Sequence, residues 1–139
     1  MAHDTQTLTI KAAAWGRDAE RLIPLAHTAA GLAEVRDQVQ SGAASLFLIE
    51  VEGQTVGAFV LRVDHTAAGS EGVIVSGVGR LHGVDLVEAC IPQIERMFVG
   101  VSAIRYHTAQ PALARKLAAW GYQAAEIVCR KELHNAPIQ

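Results

Sequence analysis

Residues 45–64, SLFLIEVEGQTVGAFVLRVD, set two β-rich runs on either side of EGQ, the pattern of an antiparallel hairpin. The next apolar run, GVIVSGVG (72–79), differs in character. Almost every position is apolar or glycine, which suits a strand buried on both faces in the middle of a sheet. Ahead of these, TLTIKAAAW (7–15) begins in alternation and predicts a first strand. RDAERLIPLAHTAAG (17–31) places Leu22, Leu25 and Ala29 at helical spacing, with Pro24 in the first turn or at a kink. LAEVRDQVQ (32–40) presents Leu32, Val35 and Val39 on one helical face, and Gly42 stops it.

After residue 79 comes RLHGVD (80–85), then a helical stripe of Leu86, Cys90, Ile94 and Phe98. Asp85 is placed to cap this helix. Pro92 inside it costs on the order of 3 kcal/mol and a bend, unless the regular helix starts near the proline. VSAIRYHT (101–108) predicts a strand. QPALARKLAAWGY (110–122) predicts a short helix with Pro111 at its first position, Leu113, Leu117 and Trp120 on one face, and Gly121 at its end. QAAEIVCRKEL (123–133) alternates and predicts a closing strand with one wet face.

The resulting order is β-α-α-β-β-β-α-β-α-β. Residues 73–108 form a β-α-β crossover joining parallel strands, and the hairpin before it is antiparallel. An α/β (α+β) chain with a mixed, mostly antiparallel sheet and helices on both faces follows.

Composition adds exclusions. The 139 residues show no break in character, which suits one domain spanning 1–139, and half are hydrophobic. The net charge of −2 and the lack of a long basic run argue against a dedicated nucleic-acid binder. Cys90 and Cys129 are read as reduced core residues of a cytoplasmic chain. No signal-peptide pattern opens the sequence, and no apolar run approaches the roughly 18–20 residues of a membrane span. The six histidines lack ligand spacing, so no metal site is expected. Trp15 and Trp120 are expected as core or interface anchors.

The second half, in the order strand, R-x-x-G-x, helix, strand, short helix ending in glycine-aromatic, strand, resembles the GNAT superfamily of acyl-CoA-dependent N-acyltransferases. The residues carrying the likeness are Gly57, Val75 followed five places on by Arg80, Gly83, and the pair Gly121–Tyr122. The resemblance implies that Arg80, Leu81, His82, Gly83, Val84 and Asp85 wrap the pyrophosphate of coenzyme A. Helix-start N–H groups attract phosphate, Gly83 permits close approach, and Arg80 adds charge. The sixth position departs from the family's glycine or alanine. Asp85 offers a carboxylate that would cap the helix and repel phosphate. Leu117 stands where many relatives carry the tyrosine that protonates the departing thiolate, and Gln110 stands where they often carry asparagine.

Other roles follow from the same resemblance. Tyr106 and His107, on opposite faces at the end of a strand, are candidates to act on the thiolate and the amine. Glu71 lies near a position where some relatives hold a general base. Arg115, with Lys116, is placed to meet the adenosine 3′-phosphate. The bland readings stand beside these: a packed Tyr106, a loop-edge His107, a solvated Glu71, solvated charges at Arg115 and Lys116, and a wet loop histidine at His82.

Two functions are compatible with the residues. The first is an N-acetyltransferase taking an acetyl or other acyl group from acyl-CoA to a small-molecule or protein amine, without metal. Glu20, Glu34 and Asp37 slightly favour a cationic acceptor. The second is a catalytically inactive GNAT-like binding or assembly module, a homodimer through edge strands or an element of mobile DNA, which Asp85 and Leu117 favour.

Overall fold

The structure, a computed structural model, describes residues 8–26, 31–108, 110–125, 129 and 131–133. Six strands carry the fold: β1 (Leu8–Ala13), β2 (Ser45–Val51), β3 (Gln54–Thr66), β4 (Gly69–Leu81), β5 (Val84–Asp85) and β6 (Ala103–Tyr106). The first four pair in chain order, all antiparallel. On its other edge β4 meets two partners, β6 in parallel and β5 antiparallel. The sheet is therefore mixed and mostly antiparallel, as its sequence pattern implies.

The hairpins are set by backbone chemistry. Glu52 and Gly53 join β2 to β3 with φ of 52° and 77°. A two-residue turn with both φ positive matches the right-handed twist of paired strands. The β3–β4 hairpin is longer than its apolar pattern suggests. Polar residues at its far end, including His65, Thr66 and Ser70, extend both strands beyond the hydrophobic runs.

Helices cover both faces. On one lie α1 (Arg17–Leu22), a short 3₁₀ turn (Ile23–Ala26) and α2 (Leu32–Gln40). Pro24, which lacks an N–H, falls in the 3₁₀ turn where regular helix has ended. Leu22, Ile23 and Val35 pack there against Leu46, Val60 and Val75. The other face carries α3 (Leu86–Ala89), α4 (Ile91–Met97) and α5 (Pro111–Ala118). Its core joins Val87, Cys90, Ile94 and Leu117 to Phe59 and Ile74. The segment after RLHGVD is thus two short helices broken at Cys90, and Pro92 sits in the first turn of the second, where it costs no hydrogen bond. Tyr122 donates to Glu95 Oε2 at 2.8 Å and ties the chain after α5 to α4.

Three expectations need correction. Cys129 is exposed rather than in the core; only Cys90 is buried. Trp120 is also exposed, whereas Trp15 packs partly buried against the first cluster. Of the expected closing strand, residues 126–128 and 130 lie outside the described residues, and 123–125, 129 and 131–133 are not in a strand. Ala29, expected on the first helical face, also lies outside the described residues. Among the described residues no helix is long and apolar enough to cross a membrane, and no cluster of three His, Cys, Asp or Glu could hold a metal.

Candidate active site

The site begins with an interruption in strand pairing. β6 accompanies β4 only from Glu71 to Ile74, and the His107 N–H adds a last bond to the Ile74 carbonyl at 3.3 Å. β5 resumes the pairing at Arg80. Between them the edge of β4 from Val75 to Gly79 that points away from β3 faces no strand among the described residues. Backbone groups of this stretch that point away from β3 are open to an extended ligand.

A bulge marks the start of the opening. Val60 of β3 lies opposite Ser76 while Leu61 lies opposite Ile74, so Val75 is the additional residue. Such an insertion bends the strand and raises its twist locally. Ser76 is fully buried, and its hydroxyl has no partner among the described residues.

The opening is a cleft of about 360 Å³, at the small end of the roughly 300–1,000 Å³ usual for ligand sites. Gly77, Val78, Gly79 and Arg80 form its floor; Tyr106 and Gln110 stand across from them. Leu22, Leu25 and Val56 give it an apolar side, and Asp85 is the acid that lines it. Gly77 and Gly79 went unread as site residues. Their spacing of two puts them on one face of a strand, and the trough their absent side chains would leave is filled by Tyr106 and Val87 at Gly77 and by Gly57 and Leu86 at Gly79.

Tyr106 projects into that trough. Its hydroxyl is buried without a partner among the described residues. It lies 2.6 Å from where a Cβ at Gly77 would begin. Burial, and then the Asp85 carboxylate, push the phenol well above its ordinary range, so it stays protonated and can only donate or accept a hydrogen bond.

RLHGVD is a turn. His82 and Gly83 have φ of 51° and 78°, and they join Leu81 to Val84 and Arg80 to Asp85 in a tight hairpin. The pairing engages backbone that a pyrophosphate-wrapping loop would have to offer. Asp85 Oδ1 then accepts from the N–H groups of Val87 and Glu88 at 3.0 and 3.1 Å. The cap expected of Asp85 is formed, and two of the helix-start donors are already bonded. A phosphate brought there would meet a carboxylate; like unit charges 4 Å apart repel by about 4 kcal/mol at an effective dielectric near 20. Arg80 is paired with Asp85 across the hairpin, on the same face.

Other sequence candidates fall elsewhere. His82, Gly83 and Val84 are exposed on the turn, while Leu81 packs on the second core cluster. Val75 is the buried bulge residue. His107 is exposed and does not line the cleft. Glu71 is at the opposite end of β4 from the cleft and forms an ion pair with Arg105 Nε at 3.0 Å. Arg115 is exposed on α5, and Lys116 lies 3.9 Å from Glu88. Leu117 is buried core. Gln110 lines the cleft and donates through Nε2 to the Ala26 carbonyl at 3.4 Å. Glu20 is committed to Trp15 and Arg36, both at 3.1 Å, which lower its pKa. Neither it, Glu34 nor Asp37 lines the cleft.

Solved structures share this architecture. An acetyltransferase from Trypanosoma brucei superposes with a TM-score of 0.66 at 17% identity, covering 91% of this chain and 100% of that one. An aminoglycoside N-acetyltransferase in complex with CoA gives 0.65 at 16% identity over 96% and 99%. A ribosomal-protein-alanine N-acetyltransferase from Brucella melitensis gives 0.61 at 17% identity over 93% and 100%. The chain has the GNAT acetyltransferase fold. No protein-family model matches the sequence, and no curated protein matches it significantly.

Proposed function

We propose that this protein is an N-acyltransferase that lays an acyl thioester along the free edge of β4 and passes its acyl group to an amine. The outer edge of β4 over Val75–Gly79, which pairs with no strand among the described residues, and the Tyr106 hydroxyl beside it, without a partner among the described residues, carry the reading. An extended arm with amide groups can pair with that edge as an added strand would. The thioester carbonyl would accept from a β4 backbone N–H beside the bulge, where negative charge grows during attack.

The amine nitrogen attacks the carbonyl carbon, the carbon–sulfur bond breaks, and sulfur leaves with the electron pair. The nitrogen's surplus proton ends on the thiolate or in solvent. Leu117 supplies no acid. Tyr106 substitutes as a hydrogen-bond donor to the emerging thiolate, since a phenol with so raised a pKa gives up its proton poorly to a thiolate. Much of the acceleration then comes from holding amine against thioester. The acceptor enters past Leu22, Leu25 and Val56, so an apolar approach surrounds the reacting nitrogen.

The second reading, a binding module without transfer chemistry, is favoured by Leu117 and by the Asp85 cap. Thermal unfolding with acetyl-CoA and CoA, followed by thiol release in the presence of an amine panel, separates the two. A ligand at about 100 times its dissociation constant adds roughly 2.7 kcal/mol to stability. A shift with no thiol release from any amine selects the module. No shift from either compound at millimolar concentration removes the acyltransferase.

A further inference from the structure

Resting on that reading, we infer that the donor is recognised through its pantetheine arm and not through its diphosphate, and that Asp85 sets this preference. Three observations on the hairpin converge. Its backbone is engaged in pairing between Arg80–Leu81 and Val84–Asp85. The two N–H groups at the start of α3 are bonded to Asp85 Oδ1. Arg80 is the strand partner of Asp85 across the hairpin, so the two side chains share one face of it. A diphosphate at this place meets a carboxylate already bonded to the Val87 and Glu88 N–H groups. By contrast the outer edge of β4 over Val75–Gly79 pairs with no strand among the described residues, and a small cleft lies along it.

The chemical class of donor is therefore an acyl thioester of pantetheine, with little regard for what its far phosphate carries. α3 has only four residues, so its opening adds little dipole of its own. The acid at position 85 thus decides the matter rather than tuning it.

Isothermal titration of the full chain with pantetheine and with CoA tests the inference, using Asp85→Asn and Asp85→Gly beside the native chain. Asparagine still caps a helix and removes the charge; glycine frees both donors and is a tolerated cap residue. The native chain is expected to bind pantetheine and CoA within about threefold of each other. Relative to pantetheine measured on the same variant, Asp85→Asn should tighten CoA severalfold and Asp85→Gly about tenfold. Native affinity for CoA more than tenfold above that for pantetheine, lost in Arg80→Ala, overturns the inference and leaves the acyltransferase reading standing. Equal gains for both ligands on replacing Asp85 overturn it as well. Failure of both ligands to bind any of the three chains removes the acyltransferase reading itself.

Discussion

Tyr106 fills the space that Gly77 leaves: a side chain at position 77 would begin 2.6 Å from the tyrosine hydroxyl and 3.0 Å from Val87 Cγ1. One residue's missing atoms are thus the other's room, and together they shape the cleft. Gly77→Ala should cost about 1–3 kcal/mol by overpacking. Tyr106→Phe should cost little, because the hydroxyl it removes is buried without a partner among the described residues. The double variant should regain part of the alanine's loss, a coupling on the order of 1 kcal/mol in urea unfolding. Strict additivity would mean the two groups do not compete for one volume. In thiol-release kinetics Tyr106→Phe should lower kcat with KM little changed, since the proposed bond to sulfur forms as the thiolate leaves.

The two thiols should differ sharply. Burial, then the Asp85 charge, push Cys90 up to about 11. At pH 8 only about one part in a thousand of such a thiol is thiolate, and it is also inaccessible. Cys129 is exposed. A disulfide reagent such as dithionitrobenzoate should therefore modify one thiol per native chain quickly and the second only on unfolding. Two fast thiols would place Cys90 outside the core.

Much of the fold was legible because period alone specifies it. The hairpin about Glu52–Gly53, the crossover from β4 to β6 and the α5 stripe all follow from spacing. So did the Asp85 cap, since an acidic residue ahead of an apolar helical stripe has one obvious use. The 80–85 segment was harder. Its strand–glycine–helix pattern suits either an anion loop or a tight hairpin, and the difference lies in a positive φ at His82, which apolar spacing does not encode. Polar strand ends such as His65–Thr66 were invisible to hydrophobic pattern. The gap in pairing at Val75–Gly79 is tertiary: it depends on where β6 stops, which no local signal in β4 encodes.

Asp64 anchors a charged network at the far end of the sheet. It accepts from Arg62 Nε at 2.7 Å and Arg105 Nη2 at 2.6 Å, while Arg105 also meets Glu71, and Arg62 reaches Gln38 of α2 at 2.9 Å. The Arg62 hydrogen bond, more than the opposing cost of burial, lowers the Asp64 pKa below its usual 3.8. A lowered folded-state pKa contributes stability that is full above about pH 4 and is lost as pH falls through the folded value. Asp64→Asn should thus cost about 1 kcal/mol at pH 7, typical of a partly exposed network. The gap to the native chain in urea midpoints should narrow toward pH 2–3. A gap that stays constant with pH would assign the loss to packing.

The hairpin at 80–85 can be tested at its two turn residues without touching the cleft. Position 82 holds φ of 51° with a histidine, and position 83 holds 78° with nothing within 4 Å of where a Cβ would stand. Asparagine tolerates positive φ far better than histidine at the first place of such a turn. His82→Asn should therefore stabilise by a few tenths of a kcal/mol. Gly83→Ala meets no neighbour, so its cost, about 1 kcal/mol, is backbone strain alone. Opposite signs from adjacent substitutions are what a two-residue turn demands. In an open anion-wrapping loop the chain could relax around either residue, and both substitutions would fall within a few tenths of zero. Chemical denaturation of the two variants thus separates a closed turn from an open loop, and with it decides whether the backbone at Arg80–Asp85 is free to hold a phosphate.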